Sequence, residues 1–401
     1  MRGAPMTVRL LACLLVAALV AAGCGDEETR TDTGGGDALT VYSSFPLSAG
    51  DQRGEAAALV EGIELALAER GGEAGGFRVE HRSLDNSSAE EGGLTPELEA
   101  ANARTAAQDE TAVAYIGGIS FAAAAISIPI LNEAGIVQVS PGTGYSGLTR
   151  RTAVSQPGEP EKYYPTGERN FARIVPLDVY HAAALAGVME DAGCASAFLA
   201  AEEEVASRAL AHALRDDLRR RGVAIAGEEA FDGAQVGDVA AAAAEARPGC
   251  VALVTRAPAA AVAAYEALGE ALPRARLFGA EGACRPALTP PPAHLEESLL
   301  RRITCTAWVR ERRSYPDADV ELEDPVALYG YEAMRLVLDA IERGGGDRDA
   351  VRRALLSTGE RKGPFGEYRL DGRGDATLDT FAVYRVRGGR LRQTRLVQPP
   401  G

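Results

Sequence analysis

A chain of 401 residues, 46% hydrophobic and 25% charged, has the balance of an ordinary globular protein and is long enough for two lobes. Its net charge of −15 argues against nucleic acid or a polybasic membrane surface as a partner. Lysine occurs only at Lys162 and Lys362 while Arg and Ala abound, a compositional bias rather than a functional signal.

The N-terminus carries Arg2 and Arg9, then an apolar stretch from Leu10 to Ala22 that is too short to span a bilayer as a mature helix. Leu19-Val20-Ala21-Ala22-Gly23-Cys24 sets small residues before a cysteine, as a peptidase cutting just ahead of Cys24 requires. We expect residues 1–23 to be a secretion signal. The freed Cys24 would carry lipid and anchor an exported protein to the outer face of the cytoplasmic membrane, where several acyl chains hold far better than one. The alternative is an ordinary cleaved signal with a chance cysteine. Ala21 stands where lipoprotein signals more often have leucine. Residues 24–38, with Asp26-Glu27-Glu28 and Gly34-Gly35-Gly36, read as a flexible tether. The apolar run Phe121 to Leu131 is short and holds Ser127 and Pro129, so no later membrane span is expected.

From Leu39 onward strand and helix signals alternate. Strands are predicted at 39–42, 77–83, 112–116 and 135–140, and helices at 55–70, 100–108 and 122–134. The pattern then restarts, with helices at 178–192, 207–221 and 258–268 and strands at 195–200, 251–255 and 275–279. Pro258 falls in a first helical turn, where its missing N–H costs nothing. A helix at 325–343 and a hairpin-like end (366–370 and 380–386) follow. Two successive runs of this kind imply an α/β fold with two parallel-sheet lobes. The insert 159–169, rich in Pro, Gly and Tyr, falls between the runs and is expected near the hinge.

Cys13 leaves with the signal and Cys24 is assigned to lipid. Cys194, Cys250, Cys284 and Cys305 remain, an even number in an oxidising compartment. Cys194 and Cys250 each follow a glycine and open an apolar run, as at matching ends of neighbouring strands. Cys284 and Cys305 flank a Pro-rich loop. The favoured pairing is 194–250 and 284–305, with free buried thiols as the alternative. There is no CxxC and no paired histidine, so neither a zinc site nor another metal site is expected.

Three motifs remain. Gly142-Thr143-Gly144-Tyr145-Ser146-Gly147 matches a dinucleotide fingerprint literally, but no helix opens on its last glycine. As a turn at the end of a strand it still offers backbone N–H groups to a carboxylate. Gly118-Ile119-Ser120-Phe121-Ala122 falls one glycine short of a nucleophile elbow. The bland role for Ser120 is a helix cap or ligand contact. Glu281, just past the strand 275–279, stands where open α/β sheets bind ligands; it is either a counter-ion for an amine or a solvated loop residue.

Several segments, in this order and spacing, resemble the type I periplasmic binding proteins of branched-chain amino acid ABC importers. They include Ser44-Phe45-Pro46-Leu47-Ser48, Tyr115-Ile116-Gly117, Ile128-Pro129-Ile130-Leu131-Asn132-Glu133, Arg173-Ile174-Val175-Pro176-Leu177-Asp178, Phe278-Gly279-Ala280-Glu281-Gly282 and Leu328-Tyr329-Gly330-Tyr331. The resemblance implies two Rossmann-like lobes joined by hinge strands: 39–175 plus 308–362, and 176–307 plus 363–397. It implies a monomer that closes on a small ligand, an amino acid or analogue, and delivers it to an ABC permease, with no enzyme activity and no cofactor. Carried over, Glu281 meets the ligand's amine, and Gly142 and Thr143 cradle its carboxylate. Phe121 stands as a wall in place of the usual serine, and Ser44, Ser120 and Tyr329 are further contacts. Gly144 and Ala206 replace a usual threonine and tyrosine. A sensor of the same fold is the alternative function, and a hydrolase using Ser120 a lesser one.

Overall fold

The computed structural model describes residues 38–232, 236–285, 295–309, 324–388 and 390–399. The expected secretion signal, Cys24 and nearly all of the expected tether lie outside the described residues. No described helix is long and apolar enough to cross a membrane.

The first sheet runs in the order Glu73–Ala74, Phe77–Asp85, Leu39–Phe45, Ala112–Gly117, Val137–Ser140, Phe171–Arg173, and all but the first strand are parallel. Leu39–Phe45 and Ala112–Gly117 are buried along their whole length, as strands covered on both faces must be. Helix Arg53–Glu69 covers one face together with Ala327–Gly344. These two helices nearly touch backbones: a Cβ on Gly62 would lie 1.8 Å from the Ala327 carbonyl oxygen, and one on Gly330 would lie 2.0 Å from that of Leu59.

The second sheet runs Ala224–Phe231, Ser196–Glu202, Cys250–Val254, Arg276–Gly279, Ile303–Trp308, Phe381–Arg387, Arg390–Val397. Its first five strands are parallel and the last two antiparallel. Apolar cores lie on both of its faces. One is built on helices Val236–Ala246 and Pro258–Ala271, the other on Asp178–Asp191 and Val205–Arg220. Both lobes are thus doubly wound, as expected. The chain crosses between them after Phe171–Arg173, again after Ile303–Trp308, and again before Phe381–Arg387.

Both disulfides form with the favoured pairing. Cys194–Cys250 ties neighbouring strands, and Cys284–Cys305 ties the loop after Arg276–Gly279 to the next strand. Some elements escaped the sequence reading. Ala224–Phe231 is an edge strand whose exposed Glu228 and Glu229 break any apolar alternation. Ala-rich Val236–Ala246, Ile303–Trp308 and Arg348–Leu356 were also unpredicted. The helix expected at 100–108 starts earlier, at Pro96, with proline in its first turn.

The insert between the two runs is built on one buried carboxylate. Glu159 accepts hydrogen bonds from Tyr145 Oη (2.7 Å), Tyr163 Oη (2.6 Å) and the Gln156 N–H (2.7 Å). Tyr145, Tyr163 and Phe171 share an apolar cluster with Ala206 and Ala209 of helix Val205–Arg220, so the insert packs against both lobes.

Candidate ligand cleft

In the first lobe the carboxyl ends of the strands carry the sequence-flagged loops. Ser120 caps helix Phe121–Glu133, its Oγ accepting the Ala123 N–H at 3.2 Å, which is the helix-capping role. His81 is engaged with Ser43 and Glu64, and His181 with Thr306. Half-buried Phe121 meets Tyr145 edge-on, ring centroids 4.6 Å apart. The amides of Gly142 and Thr143, expected to face a ligand carboxylate, both donate to Ser140 Oγ, at 3.2 and 3.0 Å. The loop is clamped from below by Arg173, wholly buried and ion-paired with Asp375 at 2.8 Å, whose Nη1 donates to the Thr143 and Tyr145 carbonyls. The Thr143 hydroxyl, fully buried, has no partner.

Gly144 owes its place to a neighbour. A Cβ there would lie 2.3 Å from Asp178 Oδ1 and 2.8 Å from the Pro176 carbonyl. The residue that replaces the usual threonine thus makes room for the first carboxyl of helix Asp178–Asp191. The Asp178 N–H donates to the Gly144 carbonyl (2.8 Å), stitching the hinge crossing to the loop. Asp178 is buried and its Oδ1 has no partner. Burial pushes its carboxyl up to about 6, against the pull of Arg256 and Arg173. One turn on, burial depresses His181 to about 4; its Nε2 lies 2.8 Å from Thr306 Oγ1.

The facing lobe brings Glu281, Arg256 and the start of helix Val205–Arg220. Glu281 is buried, and its carboxylate accepts the Trp308 N–H at 2.7 Å. Arg285 lies 3.5 Å from its other oxygen and also reaches Glu55 of the first lobe at 2.9 Å. A second cross-lobe contact joins Asp51 Oδ2 to the Ala259 N–H in the first turn of helix Pro258–Ala271 (3.2 Å). Between the lobes lies a cavity of about 260 Å³, with Ser120 on one wall and Glu202, Glu204 and Arg256 on the other. Ala206 does not cover a ligand as a tyrosine would; it packs in the apolar cluster with Tyr145.

The flagged residues do not all converge. Ser120 lines the cavity, with Phe121 next to it against Tyr145, and Gly142 and Thr143 form the neighbouring turn. Ser44 is turned inward, donating to Glu99 Oε2 at 2.7 Å and accepting from Asn102. Glu99 is a fully buried acid held also by Asn86 and Tyr115, and burial raises its carboxyl. Tyr329 stacks on Phe365 at 3.8 Å and donates to the Val309 carbonyl. Sequence reasoning missed Asp178, Arg256 and Arg285. The first two do carry a signal: each sits where a strand has just ended on the cleft side of its sheet. Among the described residues no group of His, Cys, Asp and Glu is placed to hold a metal ion.

Two doubly wound lobes facing each other across a cavity are the build of a ligand-closing binding protein. The periplasmic binding protein family matches residues 45–390, and the chain belongs to that family. No curated protein matches the sequence significantly. Among solved structures, a leucine-binding protein from Thermotoga maritima MSB8 superposes with a TM-score of 0.75 at 19% identity, covering 90% of this chain and 99% of that one. An ABC transporter solute-binding protein from R. palustris in complex with benzoate gives 0.70 at 19%, covering 90% and 97%. An ABC transporter substrate-binding protein from Desulfitobacterium hafniense in complex with Leu gives 0.69 at 18%, covering 89% and 100%. At these identities the likeness establishes the fold.

Proposed function

We propose that this chain is the extracytoplasmic solute receptor of an ABC importer, tethered through lipid on Cys24 and closing on a small organic acid, either an amino acid or an aromatic acid. The observation that carries this reading is a set of buried polar atoms without partners: Arg256 Nη2 on the cavity wall, Ser207 Oγ beside the cavity residue Glu204, and Thr143 Oγ1 and Asp178 Oδ1 at the turn around Gly144. Buried polar groups are almost always satisfied, so a cluster of orphans calls for a guest.

Phe121 against Tyr145 supplies a flat apolar wall, which favours a planar or branched side chain over a charged one. The proteins of similar fold that hold Leu or benzoate bracket this range. A ligand ammonium would find its acceptor at Asp178, because Glu281 is already engaged by Trp308 and Arg285. Glu281 joins it only if Arg285 swings away.

The test is a thermal-shift screen of amino acids and aromatic acids, followed by calorimetry. A true ligand at a hundredfold excess over its Kd adds about 2.7 kcal/mol to stability and raises Tm accordingly. A screen in which no member of either class moves Tm would contradict the proposal.

A further inference from the structure

Arg256 follows strand Cys250–Val254 directly, at the carboxyl end where such sheets receive ligands. Its backbone is fixed, since Glu202 Oε2 accepts the Arg256 N–H at 2.8 Å and the Thr255 hydroxyl at 2.7 Å. Its side chain is not. Among the described residues the guanidinium has no ion pair and no hydrogen bond, and its Nη2 is shut off from solvent.

This is unusual in a cavity with acids on its walls, and the reason is visible. Each of those carboxylates turns an oxygen to a backbone N–H group rather than to the guanidinium. Glu202 holds Arg256's own amide, Glu204 caps its helix through the Ser207 N–H (2.9 Å), and Asp51 takes the Ala259 N–H (3.2 Å). The other cleft arginine, Arg285, has both its carboxylates in place, Glu55 and Glu281. Arg256 is the one cation among the described residues lining this cavity, and none of the three carboxylates pairs with it. That charge reaches the ligand side of the second lobe, where it lowers both Asp178 and His181.

A guanidinium offers five donors in a planar fork that matches a carboxylate; Arg256 is half-buried, and its one nitrogen closed off from solvent, Nη2, has no partner. The first lobe has meanwhile withdrawn its expected cradle, with the Gly142 and Thr143 amides committed to Ser140. We infer that Arg256 selects an anionic ligand, its guanidinium pairing from the second lobe with the carboxylate of the bound solute. This rests on the solute-binding reading and deepens it: the charge of the guest is read by a side chain rather than by a backbone turn.

The experiment compares matched pairs by calorimetry: L-leucine with leucinamide, benzoate with benzamide, and 4-hydroxybenzoate with its amide. Each is titrated into wild type, Arg256→Gln and Arg256→Lys, with circular dichroism confirming the fold of the variants. At least one carboxylate should bind wild type tenfold or more tightly than its amide. Arg256→Gln should lose that preference and weaken the carboxylate thirtyfold or more, whereas Arg256→Lys should keep part of it. The inference is overturned if acid and amide bind wild type alike, or if Arg256→Gln keeps wild-type affinity for the acid. An acid that binds wild type and Arg256→Gln with equal affinity would overturn it and leave the solute receptor standing. Silence from all probes would count against both.

Discussion

Asp178 and His181 stand one turn apart at the start of the same helix, and burial drives their titrations past each other. The Asp178 carboxyl, ordinarily near 3.8, is pushed up to about 6, so the folded state holds its proton more tightly than the unfolded chain. Its contribution to stability is complete below 3.8 and is lost as pH rises through 6, by about 3 kcal/mol. His181 moves from 6.5 down to about 4, so its contribution is complete above 6.5 and is lost as pH falls through 4, by a similar amount of about 3 kcal/mol. Between pH 6 and 4 the two oppose each other. Asp178→Asn removes one side of that balance, so its Tm should fall more steeply than wild type between pH 7 and pH 4.5. Parallel Tm curves for the two proteins would show that the Asp178 carboxyl ionises normally. The same residue explains a substitution that the sequence displays but does not interpret. Gly144 reads as a lost threonine until the Asp178 carboxyl is seen filling its place, 2.3 Å from where a Cβ would stand. No local pattern links two positions so far apart in the chain.

At the scale of elements, helix Arg53–Glu69 and the turn after strand Arg276–Gly279 meet through Glu55, Arg285 and Glu281, while the start of helix Pro258–Ala271 rests on Asp51. These contacts join the two lobes, so parting the lobes would break them and they favour the closed arrangement. Glu55→Gln removes one partly buried partner of Arg285, and we expect about 1 kcal/mol less closure, a roughly fivefold rise in apparent Kd with Tm of the unliganded protein nearly unchanged. An unchanged Kd would make the pair incidental. Element by element, most of the fold was legible because buried parallel strands read as apolar runs and their helices keep a 3.6-residue period. The disulfides were legible for the same reason, since Cys194 and Cys250 open neighbouring runs. The edge strand Ala224–Phe231 was not, because pairing on one side only imposes no apolar pattern on Glu228 and Glu229. The site was half legible. Of the flagged residues Ser120 lines the cavity, whereas the Gly142 and Thr143 amides are engaged by Ser140 and the Glu281 carboxylate by Trp308 and Arg285, partners that no local pattern marks. Ser44 was misleading because its partner, Glu99, sits on an alanine-rich helix whose sequence gives no sign of burying a carboxylate.

At the scale of the whole molecule, the hinge crossings are anchored by the Arg173–Asp375 pair, which ties the last strand of the first sheet to the segment leading into Phe381–Arg387. On the proposed function, two sheets on such a hinge would act as a two-state device that a ligand shifts by as much as it prefers the closed form. A lipid tether on such a body would hold it near a membrane partner and raise its effective concentration there. On the function proposed above, a small organic acid closes the lobes. Spin labels placed at exposed Glu90 in the first lobe and exposed Glu266 in the second report this directly, through the distance between them measured by pulsed electron resonance. Addition of the carboxylate that binds should replace a broad, longer distribution with a narrow, shorter one. A distribution that is the same with and without saturating ligand would contradict the account.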